Sequence, residues 1–346
     1  MNTTSTHDTK RSEDVRARIN VLSELDNTWL SRLHRWSRWN RPYQKVLKGR
    51  SVPDPSEESL LYQTMLGAWP LEPGEEAAFV ERLVGFMLKA LREAKTHTSW
   101  ISPDLEYESA VESFIRNSVI PHGKSRFMED FMELQKAVAF YGYHNALSQT
   151  LLKMTSPGVP DFYHGTELWD FSLVDPDNRR PVDFEKRVRL LEELKDREPA
   201  GLDELLKDLV GNRQDGRIKL FMIRKTLNFR NSHRELFARG EYIPLEGAGR
   251  RREHVIAFAR RWRKQWAVVA VPRLVARLLQ KQKPLLPKER WPALQIILPS
   301  ECPEKWRNIF TNGTVLPKRL ASSQWVLPIN TMLDKFPVVL LDGAEQ

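Results

Sequence analysis

Three short polar segments hold the residue types that could do chemistry. The first is His7-Asp8, which follows a run of Thr and Ser and directly precedes Lys10, Arg11 and a stretch of helical periodicity. If Thr3–Thr6 form a strand, the pair lies at its C-terminal end, where a barrel of alternating strands and helices keeps its active site. The alternative is an Asx-turn or N-cap role for Asp8, and position alone does not separate the two.

The second segment is the run PGVPDFYHGTE. It is short, apolar and flanked by Gly and Pro, as a buried strand would be, and it ends in Tyr163, His164 and Glu167. A functional reading places these polar side chains at the end of a strand. The alternative is a simple strand-to-loop turn shaped by glycine and proline.

The third segment is DPDNRRPVD, in which two aspartates and an asparagine stand beside Arg179 and Arg180. Such a run often forms an ion-pair network of its own on a loop. The alternative is sugar recognition, because carboxylates and guanidinium groups form good hydrogen bonds with neighbouring hydroxyls.

Helical patterns surround these segments. Apolar residues at spacings of three and four predict helices over 13–39, 57–69, 75–95, 104–118, 126–154, 184–196, 202–210 and 214–230. A turn-rich connector covers 48–56, and no Asn-Gly or Gly-Asn hairpin signal is present, so 20–122 is predicted to be a helical block. Its tryptophans could supply aromatic walls to a pocket or pack between helices, and packing is the favoured interpretation.

From Glu241 onward, short β-like runs alternate with turns. The predicted strands are Tyr242–Leu245, His254–Ala259, Trp266–Val271, Leu294–Leu298, Gln324–Leu327 and Pro337–Leu341. Strands of this length and spacing indicate an all-β C-terminal domain.

Composition narrows the class of protein. The 346 residues are 41% hydrophobic and 29% charged, without an apolar run long enough to span a bilayer or an apolar signal segment at the N-terminus. The single cysteine, Cys302, excludes an intramolecular disulfide framework and favours a cytoplasmic location. Neither Cys nor His spacing indicates zinc, so we expect no metal.

The net charge of +9 raises the question whether the protein binds nucleic acid. The excess is concentrated around Arg250, Arg251, Arg252, Arg260, Arg261, Arg263 and Lys264. Such a patch could meet phosphates. A solvated, Arg-rich face is the favoured interpretation, because no RRM, KH or helix-turn-helix signature accompanies it.

Taken together and in this order, the three segments resemble a known family. THDTKRSEDVRAR resembles the fourth signature region of the α-amylase-type glycoside hydrolases, in the form typical of malto-oligosyltrehalose synthases. PGVPDFYHGTEL resembles the last barrel strand of that superfamily, and DPDNRRPVDF resembles the loop after it. The long helical insertion between the seventh and eighth barrel strands is typical of the trehalose-forming branch.

The resemblance implies roles for particular residues. His7 matches the histidine that hydrogen-bonds the sugar in subsite −1. Asp8 matches the third catalytic carboxylate, which stabilises the oxocarbenium-like transition state. Lys10 and Arg11 would line the same rim, around the +1 sugar. Weaker candidates for substrate positioning are Tyr163, Glu167, Asp175 and Arg179.

The chain departs from the family pattern at its beginning. Retaining glycosidases need a nucleophile and a general acid about 5–5.5 Å apart. In this superfamily they lie on the fourth and fifth barrel strands, whereas only six residues precede His7 here. We therefore interpret the chain as a gene fragment, a split reading frame or a truncation, without activity of its own. Its expected partners are malto-oligosaccharide and, where it is supplied in trans, the missing barrel half; nucleic acid and membrane are not expected.

The predicted fold class is α+β: the C-terminal remnant of a (β/α)8 barrel with a large helical insertion, followed by an all-β, sandwich-like domain. The predicted divisions are 1–19 for the end of barrel strand 7, 20–122 for the insertion, 123–232 for barrel strand 8 and the final helices, and 233–346 for the β domain. The implied reaction is isomerisation of a reducing-end α-1,4 bond to an α,α-1,1 bond, in trehalose biosynthesis, without a cofactor. The rival hypothesis is a non-catalytic basic module that binds glycan or an anionic polymer.

Overall fold

The protein is described here by a computed structural model that covers residues 1–120, 123–278, 294–320 and 323–343. Its ten longer helices precede the strands of its main sheets, so the predicted α+β class is confirmed for these residues. The chain forms two compact units. The first, here called the helical unit, comprises His7–Gly142 and Phe171–Arg180, and the second, the sheet unit, comprises Met1–Thr6, Tyr143–Asp170 and Pro181–Gln346. The predicted domain boundaries remain a prediction.

Seven of the eight predicted helices are present with their ends shifted by four residues or fewer. The helices are α1 Glu13–Ile19, α2 Asp26–Asn40, α3 Pro55–Ala68, α4 Glu76–Ala94, α5 Leu105–Val119, α6 Arg126–Thr155, α7 Phe184–Ala200, α8 Leu202–Gly211, α9 Arg217–Ser232, α10 Arg234–Arg239, α11 Val275–Leu278 and α12 Ile329–Met332. Within the described ranges, each helix falls short of the length or the apolarity that a bilayer crossing requires.

The remaining predicted helix, 13–39, is the first along the chain, and its prediction as one continuous helix is wrong. A 3₁₀ turn at Asn20–Glu24 separates α1 from α2. A 3₁₀ turn also brings side chains three residues apart onto one face, so the apolar spacing continues through the break and does not reveal it.

The predicted helical block also contains a hairpin that the sequence analysis missed. Strands β1 Lys45–Leu47 and β2 Arg50–Val52 pair in antiparallel fashion. The two turn residues, Lys48 and Gly49, have φ of 51° and 79°. Positive φ at both positions is the requirement of a type I′ turn, and here a lysine occupies the position that asparagine most often fills.

Besides its helices, the sheet unit contains two antiparallel sheets. The strands are β3 Glu241–Leu245, β4 Gly247–Ala248, β5 Val255–Trp262, β6 Gln265–Pro272, β7 Gln295–Leu298, β8 Trp306–Asn308, β9 Thr314–Val315, β10 Lys318–Arg319, β11 Trp325–Pro328 and β12 Val339–Asp342. One sheet has the order β3-β5-β6-β12-β8-β9, and the other has the order β10-β11-β7-β4. All six predicted strands are present, although the short helices α10, α11 and α12 mean that the region is not all-β.

The two predicted barrel strands are wrong as extended strands. Thr3–Thr6 form no strand, and the run from Pro157 to Tyr163 contributes one parallel bridge, between Asn2 and Pro160. Asn2 donates its backbone N–H to the Val159 carbonyl at 2.7 Å, and Asp161 donates to the Asn2 carbonyl at 2.9 Å. The prolines in this run lack N–H donors, and parallel pairing is weak per residue, so the ladder does not extend.

A buried arginine organises the helical unit. Arg18 is 1% exposed and lies with its guanidinium carbon 3.5 Å from the Phe171 ring centre. Its Nη1 donates to the carbonyls of Gly67 and Trp69, at 3.2 and 2.8 Å, where α3 ends. Gly142 in α6 allows this arrangement, because a Cβ there would lie 2.5 Å from Arg18 Cγ.

We therefore expect Gly142→Ala to lower the free energy of unfolding by about 1–3 kcal/mol, through overpacking against Arg18. Gly85→Ala is the matched control: it lies within α4 and a Cβ there would meet nothing within 4 Å. Because alanine favours helix, the control should raise stability by about 0.5–1 kcal/mol. Urea unfolding followed by circular dichroism measures both. Equal effects of the two substitutions would contradict the packing argument.

Candidate active site

The His7-Asp8 pair forms a turn before α1. His7 Nε2 lies 3.2 Å from Asp8 Oδ2, and the two side chains are 58% and 85% exposed. The N-cap position of α1 is occupied by Ser12. Asp8 therefore does not cap this helix, and both side chains face solvent at the surface of the helical unit.

The loop that carries the third polar segment lies against this turn. Asn178 Nδ2 donates to the His7 carbonyl at 2.9 Å. Next to it, Arg11 and Leu173 form an antiparallel bridge, and Ser12 N–H donates to the Ser172 carbonyl at 3.0 Å. Two segments about 170 residues apart in sequence, the first and third polar clusters, are thus joined through backbone contacts.

Asp177 fixes the shape of this loop. Arg82 of α4 binds it in bidentate fashion, with Nε 2.8 Å from Oδ1 and Nη2 2.9 Å from Oδ2, and Nη2 also donates to the Phe171 carbonyl at 2.7 Å. Leu173 N–H donates to Asp177 Oδ2 at 2.7 Å. Burial alone would raise the pKa of Asp177, but the hydrogen bonds and charge of Arg82, with help from Leu173 and Arg180, leave this pKa below its usual value.

The remaining charges of the loop are also paired. Arg179 Nε lies 2.6 Å from Asp175 Oδ1, and Arg180 Nε lies 3.0 Å from Asp177 Oδ1. Lys89 of α4 donates to the Asp175 carbonyl at 2.8 Å. The interpretation of DPDNRR as a loop with its own ion pairs is therefore confirmed, whereas sugar recognition by Asp175 and Arg179 remains a prediction.

Lys10 and Arg11 line a cavity of about 710 Å³ in the helical unit. Lys10 pairs with Glu93 of α4, and the Arg11 guanidinium lies 5.7 Å from the Phe86 ring centre. Burial lowers the pKa of Arg11. Lys89 and Arg16 line the same cavity, so four cations face one carboxylate, that of Glu93, around an apolar floor. Such a lining suits a polar, hydroxyl-rich ligand with apolar ring faces.

Tyr163 and Glu167 belong to the sheet unit. Arg187 Nε donates to Glu167 Oε2 at 3.1 Å, and Arg187 Nη2 donates to the Gly165 carbonyl at 2.7 Å. The Tyr163 carbonyl accepts from Thr166, and the Tyr163 ring lies 4.2 Å from that of His164. The six other predicted site residues, His7, Asp8, Lys10, Arg11, Asp175 and Arg179, are brought together within the helical unit.

The tryptophans of the helical unit mostly pack against other side chains. Trp29, Trp36 and Trp69 are at most 9% exposed, and Trp36 lies edge-on to Tyr62 and Phe127 at about 5.4–5.5 Å between ring centres. The packing interpretation is confirmed for these three. Trp100 differs, since it is 56% exposed.

Sequence reasoning did not identify Arg82, Lys89 or Glu93. All three lie on the polar side of α4 and contact segments more than 80 residues away in the chain. The sequence shows that these three side chains are charged. It does not show which distant loop each side chain contacts.

The sequence relatives and the structural neighbours of the chain belong to the same kind of enzyme. No protein-family model matches the chain. A putative maltooligosyl trehalose synthase of Mycobacterium tuberculosis H37Rv is 38% identical over 283 residues, which is 81% of this chain and 32% of that protein. The solved maltooligosyltrehalose synthase of Arthrobacter ramosus superposes with a TM-score of 0.74 at 30% identity, covering 98% of this chain and 38% of that one. The solved structure of the DSM5389 glycosyltrehalose synthase superposes with a TM-score of 0.69 at 31% identity, covering 100% of this chain and 38% of that one.

By sequence and fold the chain is related to the α-amylase-type enzymes. Within that class it is related to the maltooligosyltrehalose synthases, so the predicted resemblance is confirmed. The chain spans about a third of the length of the curated relatives it matches, and a C-terminal portion of such a synthase fits these coverages.

Because of the Arg82–Asp177 ion pair, we expect the free energy of unfolding to depend on pH. A folded-state pKa below the unfolded value means that the ionised carboxylate stabilises the fold above about pH 4, and that this contribution is lost as the pH falls through the lower folded pKa. Asp177→Asn should therefore lower the free energy of unfolding by about 1–3 kcal/mol at pH 7. The difference from the parent protein should shrink below about pH 4.

Urea unfolding at a series of pH values measures this difference. Asp175→Asn is the matched control, because its side chain is 38% exposed and its ion pair with Arg179 should contribute less than about 1 kcal/mol. A loss for Asp177→Asn that is the same at pH 3 and pH 7 would contradict the assignment of the effect to the charge.

Proposed function

We propose that the chain forms the C-terminal part of a maltooligosyltrehalose synthase and supplies one side of its active site. The observation that carries the proposal is the contact between the His7-Asp8 turn and the 171–180 loop, because both resemble active-site segments of the family. In this proposal the Asn2–Pro160 bridge is the contact between the two segments that resemble the last two barrel strands of the family.

The proposed reaction is an intramolecular transglucosylation of malto-oligosaccharide. A nucleophile carried by a longer chain takes the oligosaccharide from the reducing-end glucose, breaking the α-1,4 bond while a general acid protonates the departing oxygen. The released glucose turns without leaving, and its anomeric hydroxyl attacks the covalent intermediate to form the α,α-1,1 bond. Its proton returns to the same acid/base group. Two displacements retain the configuration at the transferred centre.

Asp8 and His7 are the side chains proposed to act on the sugar in subsite −1. An ionised Asp8 would hold the 2- and 3-hydroxyls and favour the positive charge that develops in the transition state. His7 would donate a hydrogen bond to the same sugar. Their exposures of 85% and 58% support this role, since a substrate can reach both side chains.

Lys10 and Arg11 are proposed to line the acceptor side. The cavity they share with Phe86 offers donors for hydroxyls and a ring face for a sugar. Asp175 and Arg179 are proposed to shape its rim as an ion pair. Within the sheet unit, Tyr163 and Glu167 are proposed as substrate-binding residues of that unit, with Arg187 holding the Glu167 carboxylate.

The 346-residue chain by itself should show no measurable synthase or amylase activity. The resemblance implies that the nucleophile and the general acid of the family lie on other barrel strands, and one transition-state stabiliser supplies only a part of the rate enhancement. Incubation of pure protein with maltopentaose, followed by chromatography of the sugars, measures this. Sustained turnover by the pure chain would mean that a second pair of carboxylates has been overlooked.

In a longer enzyme that includes the remaining length of the relatives, Asp8→Asn should lower kcat by about 100-fold or more, because the amide keeps the shape and loses the charge. KM should change much less. Asp26→Asn, at the start of α2, is a control carboxylate outside the proposed site and should leave kcat unchanged. Near-normal kcat for Asp8→Asn would remove Asp8 from the catalytic set.

A further inference from the structure

A second cluster of ionisable side chains lies in the helical unit, at the start of α3. Asp54 and Glu57 form a capping box there: Asp54 Oδ1 accepts from the N–H groups of Ser56 and Glu57, at 2.8 and 2.9 Å, and Glu57 Oε2 accepts from Asp54 N–H at 2.9 Å. The capping box occupies one oxygen of each carboxylate. Asp54 Oδ2 and Glu57 Oε1 are left for other partners.

A histidine from a distant segment completes the cluster. His97, in the connection between α4 and α5, places Nε2 3.1 Å from Asp54 Oδ2. Its ring stacks on Tyr107, with 4.7 Å between ring centres and 26° between planes. The Tyr107 hydroxyl in turn donates to Glu57 Oε2 at 2.5 Å. Tyr107 thus holds both His97 and Glu57 in position.

The capping box does not account for this arrangement. Capping requires neither a histidine nor a buried acid, yet Glu57 is 9% exposed and His97 lies against Asp54. The cluster brings two carboxylates, with two negative charges when both are ionised, to one imidazole. The nearby Lys48 pairs with Asp104, at 3.5 Å. A divalent cation among the three side chains would neutralise the two charges.

The cluster is open on one side. Asp54, His97 and Tyr107 lie in the wall of a cavity of about 590 Å³, which Lys48 and Arg50 of the hairpin also line. Glu57 is in contact with one of these lining residues, Tyr107. A cation can therefore enter from the cavity, and water in the cavity can occupy coordination positions that the protein does not fill.

We propose that Asp54, Glu57 and His97 bind a divalent transition-metal cation of the zinc type. The ligands would be His97 Nε2, Asp54 Oδ2 and Glu57 Oε1, with cavity water as the fourth. An imidazole with two carboxylates suits zinc better than magnesium or calcium, which prefer oxygen alone. Binding breaks the His97–Asp54 hydrogen bond, and where Nε2 carries a proton, that proton passes to solvent or, in the neutral ring, to Nδ1.

The present geometry is close to what such a site needs. One ligand atom from each residue lies within 4.8 Å of the others. Ligand atoms around tetrahedral zinc are about 3.4 Å apart, so the most distant pair would approach by at most about 1.4 Å on binding. The ion would tie the start of α3 to the segment before α5. Spacing searches for paired Cys and His miss this set, since its only histidine is 40 residues beyond Glu57.

Calorimetric titration of the full chain with zinc chloride, after removal of metal by a chelator, tests the proposal. We expect one equivalent of tight binding, little response to magnesium, and the absorption of tetrahedral cobalt when Co²⁺ replaces zinc. His97→Gln and Glu57→Gln should each weaken binding by about tenfold or more. Glutamine at position 57 can still complete the capping box, so this variant should fold, which circular dichroism checks.

His34→Gln is the matched control, because His34 is an exposed histidine on α2 of the same unit and should not affect binding. Zinc that binds His97→Gln as tightly as the parent protein would overturn the proposal, and so would a parent protein without a tight equivalent. In either case the cluster would be a capping box with a hydrogen-bonded histidine. The outcome is independent of synthase activity, which the zinc titration does not measure.

Discussion

The Arg82–Asp177 pair is the interaction on which the proposed site depends. Loop 171–180 has no regular structure apart from a single 3₁₀ turn, Asp177–Arg179, and two backbone contacts hold its start, so side chains must fix the remainder. A bidentate guanidinium–carboxylate pair, with the Leu173 N–H on the same carboxylate, defines both position and orientation. Asn178, next in the chain, then reaches the His7 carbonyl. One partly buried ion pair therefore connects α4, through the loop, to the turn that carries Asp8.

Buried arginines serve a similar purpose elsewhere in each unit. Arg18 donates to carbonyls where α3 ends, and Arg260 donates to the carbonyls of Phe237 and Gly240, where α10 ends, at 3.1 and 2.8 Å. The last carbonyls of a helix lack intrahelical partners and carry partial negative charge, so a guanidinium group satisfies several at once. The predicted solvated face is therefore wrong for Arg260, which is 1% exposed, and Arg261 pairs with Glu241 and Glu301. This pairing reduces the charge that a basic binding module could offer.

The sequence predicted most of the helices because amphipathic spacing is a local property. Helix α7, for example, begins at Phe184 as predicted, where Asp183 accepts a hydrogen bond from Lys186 N–H. The hairpin at Lys48-Gly49 escaped prediction because only the backbone angles of the lysine reveal it. The prediction of a strand at Thr3–Thr6 failed for another reason. A strand forms only by pairing with a neighbouring strand, and the local sequence pattern carries no information about that pairing. The same limit hid Arg82, whose partner Asp177 is 95 residues away.

How His7 and Asp8 are held bears on what they can do. The contact with Asn178 is made by the backbone carbonyl of His7, and Ser12, further along the same segment, is fixed by its backbone N–H. Backbone contacts position a turn without covering its side chains, so both polar groups stay exposed while their Cα atoms are fixed. Asp177 shows the opposite case: its carboxylate is 11% exposed and saturated with donors. A carboxylate that must bind a substrate needs the first kind of support and a carboxylate that must hold a loop needs the second, and the two lie within one unit of this chain.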